Sequence, residues 1–345
     1  MGNISPQKTW DENSLLSQPL DYHDNKLSCV EPDYTLYVDA KQIRRMSRII
    51  KMGVASSAMA MKEAGITKPD SIITATAYGC LDDTGTFLNK MIDNKEEALN
   101  PTPFIQSTHN TIGSQIALLL QCQGYNQTYT HGAFSFESAL LDGMLQVSEN
   151  PEKKILVGGI DEITSTSHQI QSRFGIFREN VGNSLNIFNT PAPGTLNGEG
   201  SAFFVLSGEK AGTNFASIEA VRTFYKPDQE ELRDGIRDFI ENASLRPEDV
   251  DLVLTGKSGD RENDSIIDQL AGALFPSSAV GVFKHLSGEY PVATAFACWL
   301  GARILKDQVI PQTVLSKGNA STLKNILVFN QYFGTHYTLI LLRAC

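Results

Sequence analysis

Long apolar segments are missing from this sequence. Its apolar runs, among them ILVGGI, AFFVL and YTLILLR, have the length of β-strands and fall far short of the roughly 20 residues that a transmembrane helix needs. The opening residues, MGNISPQKTWDENS, contain no apolar stretch of the kind that a secretory signal requires. We therefore expect a soluble protein without a membrane span, located in the cytoplasm.

Cysteine is scarce as well. The chain has 345 residues and only 5 cysteines, an odd number, and they are scattered along it: Cys29, Cys80, Cys122, Cys298 and Cys345. Such a set suits reduced thiols in a cytoplasm better than a disulfide framework or a metal cluster. We expect no bound metal and no cofactor.

Positive charge is in deficit. The 29 Lys and Arg residues are outnumbered by 39 Asp and Glu residues, which gives a net charge of −10. An acidic surface repels phosphate groups, so nucleic acid and anionic membranes are not expected partners. The 41% hydrophobic and 20% charged composition is that of an ordinary globular protein, long enough for one large domain or two fused halves.

Predicted strands and helices alternate along the chain, and their order occurs twice. The first half has buried strands at 71–78 and 153–162, a helix from about Thr111 to Gln121, and a strand in NGEGSAFFVLS. In the second half, DLVLTGKSGD predicts a strand, FKHLSGEYPVATAFACWLGARIL a turn and a helix, and NILVFNQYFGTHYTLILLR two strands joined by a turn. Alternation of this kind predicts βαβ units with a largely parallel sheet in each half. We place the halves at residues 1–215 and 216–345 and predict a layered α/β sandwich.

One long helix is predicted over AKQIRRMSRIIKMGVASSAMAMKEAGI, residues 40–66, after an irregular stretch that covers residues 1 to about 35. Its apolar residues recur at helical spacing on one face: Met46, Ile50, Val54 and Met61. The helix also carries a basic patch, formed by Arg44, Arg45, Arg48 and Lys51. We interpret the patch as a solvated helix face, with docking of an acidic partner as the alternative.

The segment QTYTHGAFSFESALLDGM, residues 127–144, predicts a short strand, a tight corner and an amphipathic helix. Many α/β enzymes mount a nucleophile at such a junction, because a side chain there faces the positive end of the helix dipole. The corner in this chain contains Gly132 and Ala133, neither of which can attack a substrate. The sequence therefore predicts the support for a nucleophile without the nucleophile.

Several motifs, in order along the chain, resemble those of the β-ketoacyl synthases of the thiolase fold. RRMSRIIKMGVASSAMAMKEAGI resembles the first long helix of that family, and Asn110 and Gly124 match an Asn and a Gly that precede the nucleophile elbow. LVGGIDE resembles a strand with paired glycines and an acid, and NGEGSAFFVLS, the most specific match, resembles the G-E-G-A motif. FKHLSGE resembles the K-S-x-x-G-H segment, and FNQYFGTHYTL resembles a shortened Gly-Phe-Gly-Gly turn. The resemblance implies a thiolase-like α/β fold, with duplicated βαβ halves in a layered α-β-α-β-α sandwich.

The resemblance also implies a catalytic set that this chain lacks. The family uses a Cys at the elbow to hold the acyl chain as a thioester, and two His residues to stabilise developing charge. Counting without gaps from the neighbouring motifs places Ala133 at the elbow. The first His position falls on Gly256 or Lys257, and the second His is replaced by Glu289, while the lysine of that motif is kept as Lys284.

Other residues near these positions are weak replacements. Ser135 lies two residues past the corner without an evident general base, and Cys122 lies at the wrong end of the strand. We interpret His131 as a strand or turn residue and His285 as structural. Glu289 could act as an acid or base, but a satisfied buried or interface carboxylate is the simpler interpretation.

A ketosynthase scaffold without its catalytic residues resembles the chain-length factor of type II polyketide and aryl-polyene systems. That resemblance implies a heterodimer with an active ketosynthase, formed across the strand NQTYTH, in which the silent subunit shapes the acyl tunnel and limits chain length. We expect the acyl carrier protein to dock mainly on the active partner, because an acidic chain repels an acidic carrier. The candidates to line the tunnel or the interface, with core packing as the alternative for the bulky apolar ones, are Phe104, Ile116, Leu119, Tyr129, His131, Phe134 and Phe136.

The sequence departs from the chain-length factor pattern in two ways, and two other functions are kept as hypotheses. Chain-length factors often carry Gln at the elbow, whereas this chain has Ala133, and the strand that should precede GNISPQ is missing, so we expect a shortened start. The first alternative is a stand-alone acyltransferase, decarboxylase or hydrolase that uses Ser135 or Glu289. The second is a structural homodimer without an acyl ligand.

Overall fold

The computed structural model describes residues 1–10, 15–190, 192–320 and 322–345, so part of the predicted irregular N-terminal stretch, 11–14, lies outside the described residues. The chain forms two compact α/β units. The first consists of Met1–Trp10, Ser28–Phe174 and Glu199–Glu209; the second takes a segment ending at Leu27, the segment Gly175–Gly198, and Lys210–Cys345. The predicted sequence halves, 1–215 and 216–345, stay a prediction about internal duplication.

The first unit is built on one five-stranded sheet. Its strands are β1 (Gly2–Ile4), β2 (Ser71–Ala75), β3 (Tyr125–Tyr129), β4 (Ile155–Asp161) and β5 (Gly200–Leu206). Their order across the sheet is β1-β5-β4-β2-β3. The helices of this unit are α1 (Ala40–Ile43), α2 (Arg48–Glu63), α3 (Leu81–Asp93), α4 (Pro101–Gln106), α5 (Thr111–Leu119), α6 (Ser135–Glu149) and α7 (Ser165–Ser172).

The second unit has a six-stranded sheet. Its strands are β6 (Ser217–Tyr225), β7 (Leu252–Thr255), β8 (Ala279–Val282), β9 (Leu315–Lys317), β10 (Asn325–Tyr332) and β11 (His336–Arg343), in the order β6-β11-β10-β7-β8-β9. Its helices are α8 (Gln229–Asn242), α9 (Arg261–Leu274), α10 (Lys284–Ser287) and α11 (Ala293–Asp307).

Both sheets contain the same series of pairings. Reading β1-β5-β4-β2-β3 and β6-β11-β10-β7-β8 across the sheets, the first two pairings are antiparallel and the next two are parallel. This repeat supports the predicted duplication, but the prediction of largely parallel sheets was wrong. One physical reason is visible at β10 and β11: a short turn joins them, and only a long crossover connection can make consecutive strands parallel.

Helices cover opposite faces of the first sheet. A side chain at Gly143 of α6 would lie 2.7 Å from Cγ2 of Val157, and one at Gly53 of α2 would lie 3.4 Å from Cδ1 of Ile160. Val157 and Ile160 are three positions apart on β4, so they face opposite sides of the sheet. The core of this unit therefore lies on both faces of its central strand β4.

The second unit also has an apolar core between its helices and its sheet. Residues of α8 and α9 pack with those of β7, β10 and β11 in one apolar cluster that includes Phe239, Ile267 and Phe329. Helix α11 is buried around most of its circumference, as expected of a helix that is apolar on all sides. The predicted helix and the predicted pair of strands in this region are confirmed.

The prediction of one helix over residues 40–66 was wrong in one respect. The chain leaves the helical conformation after α1 and starts α2 anew at Arg48, with Ser47 as the N-cap in an extended conformation (ψ 168°). Serine is favoured at an N-cap position, and the apolar periodicity alone does not carry that information. The predicted apolar face is confirmed, because its four members are buried: Met46, Ile50, Val54 and Met61.

The first residues are more ordered than the sequence suggested. Gly2–Ile4 forms the strand β1, which pairs antiparallel with β5. Three residues are too few to display the alternation by which a strand is recognised. Among the described residues, no helix has the length and apolarity needed to cross a membrane.

Candidate functional site

The corner between β3 and α6 has the predicted form. A tight 3₁₀ turn, Gly132–Phe134, follows the strand, and α6 begins at Ser135. Gly132 has a positive φ of +57°, which glycine adopts without steric cost. Ala133 lies in this turn and is 6% exposed. A buried methyl group therefore stands at the corner, and it offers neither a nucleophile nor a proton.

Ser135 is held away from any nucleophilic role. Its side chain is fully buried, and Oγ lies 2.7 Å from the carbonyl oxygen of Gly132 and 3.3 Å from that of Thr76. Both neighbours are backbone acceptors, and a carbonyl oxygen cannot take up the proton of a serine that attacks a substrate. The hydroxyl closes the first turn of the helix and does not form a catalytic pair.

His131 and the two phenylalanines surround the corner in different settings. His131 is exposed, and its ring meets that of Phe134 edge-on with centroids 6.0 Å apart. Phe136 is fully buried, with its ring 5.8 Å from that of Phe204. Tyr129, at the end of β3, donates a hydrogen bond to Asp142 of α6. These four predicted residues are thus brought together around the corner.

The three remaining tunnel candidates are not gathered there. Ile116 is buried in the main apolar cluster of the first unit, and Leu119 packs against the same cluster. Phe104, on α4, is 56% exposed, and its ring lies 5.1 Å from that of Phe87. Their role as tunnel residues stays a prediction.

In the second unit, Lys284 and Glu289, the positions that the sequence analysis assigned to a retained lysine and a replaced histidine, form a buried ion pair. Nζ of Lys284 donates to Oε2 of Glu289 at 2.7 Å and also to the carbonyl oxygen of Gln331. Both charged side chains are 1% exposed. Oε1 of Glu289 has no hydrogen-bond partner among the described residues. The charge of Lys284 is therefore neutralised internally by Glu289.

Backbone pairing fixes this ion pair in place. The N–H of Glu289 donates to the carbonyl oxygen of Leu196 at 2.7 Å, and the N–H of Gly198 donates to that of Glu289 at 3.0 Å. Burial raises the pKa of Glu289 to about 7, an effect that the charge of Lys284 partly offsets, and burial lowers the pKa of Lys284. Nearby, burial raises the pKa of Asp264 to about 6, although the N–H groups of Ser258 and Gly259 oppose the shift.

The two candidate positions for the other histidine differ in the space around them. A side chain at Gly256 would lie 2.1 Å from Oδ1 of Asn330, so the backbone of β10 leaves room for glycine only. Lys257 carries a side chain, but its Nζ is paired with Asp268 at 2.7 Å. Neither position presents a group that could stabilise a developing negative charge in place of an imidazole.

His285 is a structural residue in this unit. Its ring is buried, with Nε2 2.9 Å from the carbonyl oxygen of Thr313, and it meets the ring of Phe188 edge-on. Burial lowers the pKa of His285 to about 4, so the imidazole is neutral at physiological pH. Because the carbonyl oxygen can only accept, Nε2 carries the proton.

The sequence analysis missed a buried carboxylate of the first unit that accepts several hydrogen bonds. Glu199, in the NGEGS motif, accepts hydrogen bonds from both terminal nitrogens of Arg48, at 2.5 and 2.7 Å, and from the N–H groups of Cys29 and Ile163. Arg48 also pairs with Glu31. The interpretation of Arg48 as part of a solvated patch was wrong, whereas Arg44 and Arg45 are exposed. The sequence feature that could have drawn attention to Glu199 is its position between two glycines in NGEGS.

Most of the cysteines are buried. Each of the five is a free thiol, and all except Cys345 are buried. Burial raises the pKa of the Cys29 and Cys80 thiols, so neither is a ready thiolate. In the part of the chain that the structure describes, no group of three or more His, Cys, Asp or Glu residues is arranged to hold a metal ion. These side chains therefore supply a scaffold and buried ion pairs, with no nucleophile at the corner.

Comparison with known proteins identifies the family of the chain. Residues 6–211 match the model of the beta-ketoacyl synthase N-terminal domain, which covers more than half of the chain. No curated protein sequence matches the chain.

Solved structures of the same fold include ketosynthases with a chain length factor and a ketosynthase with its acyl-carrier protein. The ishigamide ketosynthase/chain length factor has a TM-score of 0.75 and 17% identity over 93% of this chain and 88% of its own. A ketosynthase in complex with its chain length factor from Xenorhabdus doucetiae has a TM-score of 0.74 and 14% identity over 95% and 90%. A type II polyketide synthase acyl-carrier protein in complex with its ketosynthase has a TM-score of 0.72 and 13% identity over 92% and 90%. These similarities confirm the thiolase-like α/β fold.

Proposed function

The chain belongs to the β-ketoacyl synthase family, and from that premise we propose that it is a non-catalytic ketosynthase subunit. It acts as a chain-length factor that pairs with an active β-ketoacyl synthase and shapes the tunnel for the growing acyl chain. The observation that carries the proposal is the buried methyl group of Ala133 at the corner where the family places its nucleophile.

The surroundings of the corner support the same conclusion. Without a thiol at residue 133, the chain cannot hold an acyl group as a thioester at this corner, and the Ser135 hydroxyl is engaged with a backbone carbonyl. In the second unit, Lys284 is neutralised by Glu289, so the ammonium group is not free for an anionic substrate. Condensation must then take place on another polypeptide, and this chain contributes structure.

The partner is a second ketosynthase-fold subunit with an intact catalytic set. Strand β3, the edge strand that leads into the corner, is the segment through which the two subunits would pair. The buried rings of Phe134 and Phe136, and the side chains of Ile116 and Leu119, would then bound the tunnel from this side. The complexes of ketosynthases with chain length factors among the structural relatives support a partner of this kind.

We place the complex in the cytoplasm, in polyketide or aryl-polyene biosynthesis of the flexirubin type. The acyl carrier protein docks mainly on the active subunit, because the net charge of this chain is −10 and carriers are acidic. The acyl-carrier protein bound to its ketosynthase in one structural relative supports the kind of partner.

The test compares the purified chain alone with the chain co-purified with an active ketosynthase. Both are incubated with acyl-loaded and malonyl-loaded carrier protein, and covalent acylation and chain extension are followed by mass spectrometry. We expect no acyl adduct on the isolated chain, extension only by the complex, and no extension when the partner's nucleophilic cysteine is replaced by alanine. The matched variant Ser135→Ala should leave extension by the complex unchanged.

Two outcomes would favour the other functions. An acyl adduct on the isolated chain that disappears in Ser135→Ala, or turnover that disappears in Glu289→Gln, would make the chain an enzyme in its own right. Failure to form a complex with any active ketosynthase, together with a stable dimer of the chain itself, would make it a structural homodimer.

A further inference from the structure

Strand β3 lies at the edge of the first sheet and pairs only with β2 among the described strands. The residues at its start are exposed, and Tyr125 is 47% exposed. An edge strand leaves a row of N–H and C=O groups unpaired, and such a row is a template for pairing with another chain. The free edge of β3 is therefore a site for a partner strand.

The side chains of β3 alternate between two faces of the sheet. Asn126 and Thr128 point to one face, where they bond to the carbonyl oxygen of Gly113 and the hydroxyl of Thr74. Tyr125 and Tyr129 point to the other face, toward α6. The two tyrosine hydroxyls meet at a single acceptor, Oδ2 of Asp142, at 3.0 and 3.2 Å.

Asp142 is thus held in a fixed position beside the free edge. Its second oxygen, Oδ1, accepts a hydrogen bond from Nε2 of Gln146 at 3.0 Å. Burial, together with the charge of Asp142, raises the pKa of Tyr125 to about 12, so the phenol stays protonated and continues to donate. The carboxylate therefore sits between the two tyrosines, level with Gln127 of the strand.

The surface around Asp142 has the composition of a protein interface. Leu141 and Leu145, on the same helix, are 40% and 63% exposed. With Tyr125, whose hydroxyl bonds to Asp142, these two leucines form an apolar and aromatic margin around that carboxylate. Tyrosine is enriched at interaction hot spots. Asp142 is the charged group in the middle of this margin.

Pairing of β3 with the β3 of a second copy, in the register that matches all five residues, would bring two such carboxylates toward each other. Antiparallel pairing of β3 with itself over all five residues would place Gln127 opposite Gln127 and Tyr125 opposite Tyr129. A two-fold axis perpendicular to the sheet keeps each face on its own side, so both α6 helices would flank the axis on one face. The two Asp142 carboxylates, each held level with Gln127, would then approach each other at the axis.

We infer that Asp142 selects a non-identical partner at the β3 edge and disfavours a second copy of this chain. The preferred occupant is a ketosynthase-fold subunit that presents a Lys, an Arg or another hydrogen-bond donor opposite Asp142. Juxtaposed like charges at an interface oppose the wrong pairing, whereas a cation opposite the same carboxylate favours the right one. The inference rests on the proposed function, because it assumes that β3 is the pairing strand.

The test measures self-association of the isolated chain by sedimentation velocity. Asp142→Asn removes the charge and keeps an acceptor for both tyrosines, so it should lower the dissociation constant of the homodimer by at least about tenfold. The difference should shrink in about 0.5 M salt, which screens exposed charges over a few ångströms. The matched control is Asp238→Asn on the exposed face of α8, which changes the net charge equally and should leave self-association unchanged.

Binding to an active ketosynthase is measured in parallel, so that the two failures can be told apart. If wild type and Asp142→Asn bind the ketosynthase but self-associate equally, the inference is overturned and the proposed function stands. If the wild-type chain is already a tight homodimer at low salt, the inference is also overturned. If neither form binds an active ketosynthase, the proposed function fails. Asp142→Ser, which also lacks the charge, repeats the measurement should the Asn variant show a lower melting temperature.

Discussion

Buried carboxylates connect several elements within each unit, and Glu199 is the clearest example. Its side chain is 0% exposed and accepts four hydrogen bonds, two of them from Arg48. Removing one partner of a buried pair leaves the other charge without compensation. We expect Glu199→Gln to lower the free energy of unfolding by about 3 kcal/mol, measured by urea denaturation.

The matched control uses the same arginine. Glu31 also pairs with Arg48, but its side chain is 34% exposed. Exposed ion pairs contribute at most about 1 kcal/mol, so Glu31→Gln should have a small effect. Equal losses for the two variants would contradict the importance of burial at Glu199.

The buried pair Lys284–Glu289 should respond differently to single and double substitution. Glu289→Gln leaves a buried ammonium without its counter-charge, which we expect to cost about 3 kcal/mol of unfolding free energy. The double variant Lys284→Met/Glu289→Leu removes both desolvated charges and should regain the wild-type value to within about 1 kcal/mol or exceed it. A double variant as unstable as the single one would show that the pair itself holds the unit together.

Two buried carboxylates, Glu289 and Asp264, determine the expected pH dependence of stability. Burial raises the pKa of Glu289 to about 7 and that of Asp264 to about 6, whereas the unfolded chain loses these protons at lower pH. The folded state therefore binds more protons between about pH 5 and about pH 7, and the free energy of unfolding falls as the pH rises through this window. In urea titrations at several pH values, Glu289→Gln and Asp264→Asn should each reduce that slope.

At the scale of elements, the sequence predicted most of the strands and helices but not their pairing. The apolar pattern located β2, β4, β10, β11 and α11, because each is long or strongly periodic. The mixed direction of the sheets and the break before Arg48 depend on connections and caps, which the periodicity does not encode. The corner at Ala133 could be predicted for the same reason as the strands: a strand, a glycine and an amphipathic helix follow one another directly.

The contacts that organise the candidate sites could not be predicted in this way. Glu199 lies 151 positions from Arg48, and Asp142 meets two tyrosines of a different element. No local pattern carries such pairings, and a single sequence offers no second source for them. Only the folded backbone brings these residues together.

At the scale of elements, the testable prediction concerns hydrogen exchange of strand β3. If an active ketosynthase pairs along its free edge, the N–H groups of Tyr125–Tyr129 that point away from β2 should become hydrogen-bonded. We expect their hydrogen exchange to slow by at least about tenfold in the complex, measured by mass spectrometry. Strand β6 is one of the two edge strands of the second sheet and serves as the internal control, because its exchange should not change.

For the whole molecule, the proposed function makes net charge the property that governs an encounter with an acidic carrier protein. The net charge of −10 opposes docking, and the basic patch is smaller than the sequence suggested because Arg48 is engaged with Glu199 and Glu31. Arg44 and Arg45 remain exposed, and neither forms a salt bridge within the described ranges. These two arginines are therefore exposed cations of the patch that a carrier protein could contact.

We expect Arg44→Glu/Arg45→Glu to weaken carrier binding to the proposed heterodimer by less than about threefold at physiological salt. Charges beyond about 8 Å are largely screened, and the proposed carrier contact lies on the active subunit. The measurement is a binding titration with apo carrier protein. The charge-matched control, Lys317→Glu/Lys324→Glu, alters exposed lysines of the second unit and should have the same small effect. A loss of tenfold or more confined to the arginine variant would mean that this chain, and not its partner, supplies the docking surface.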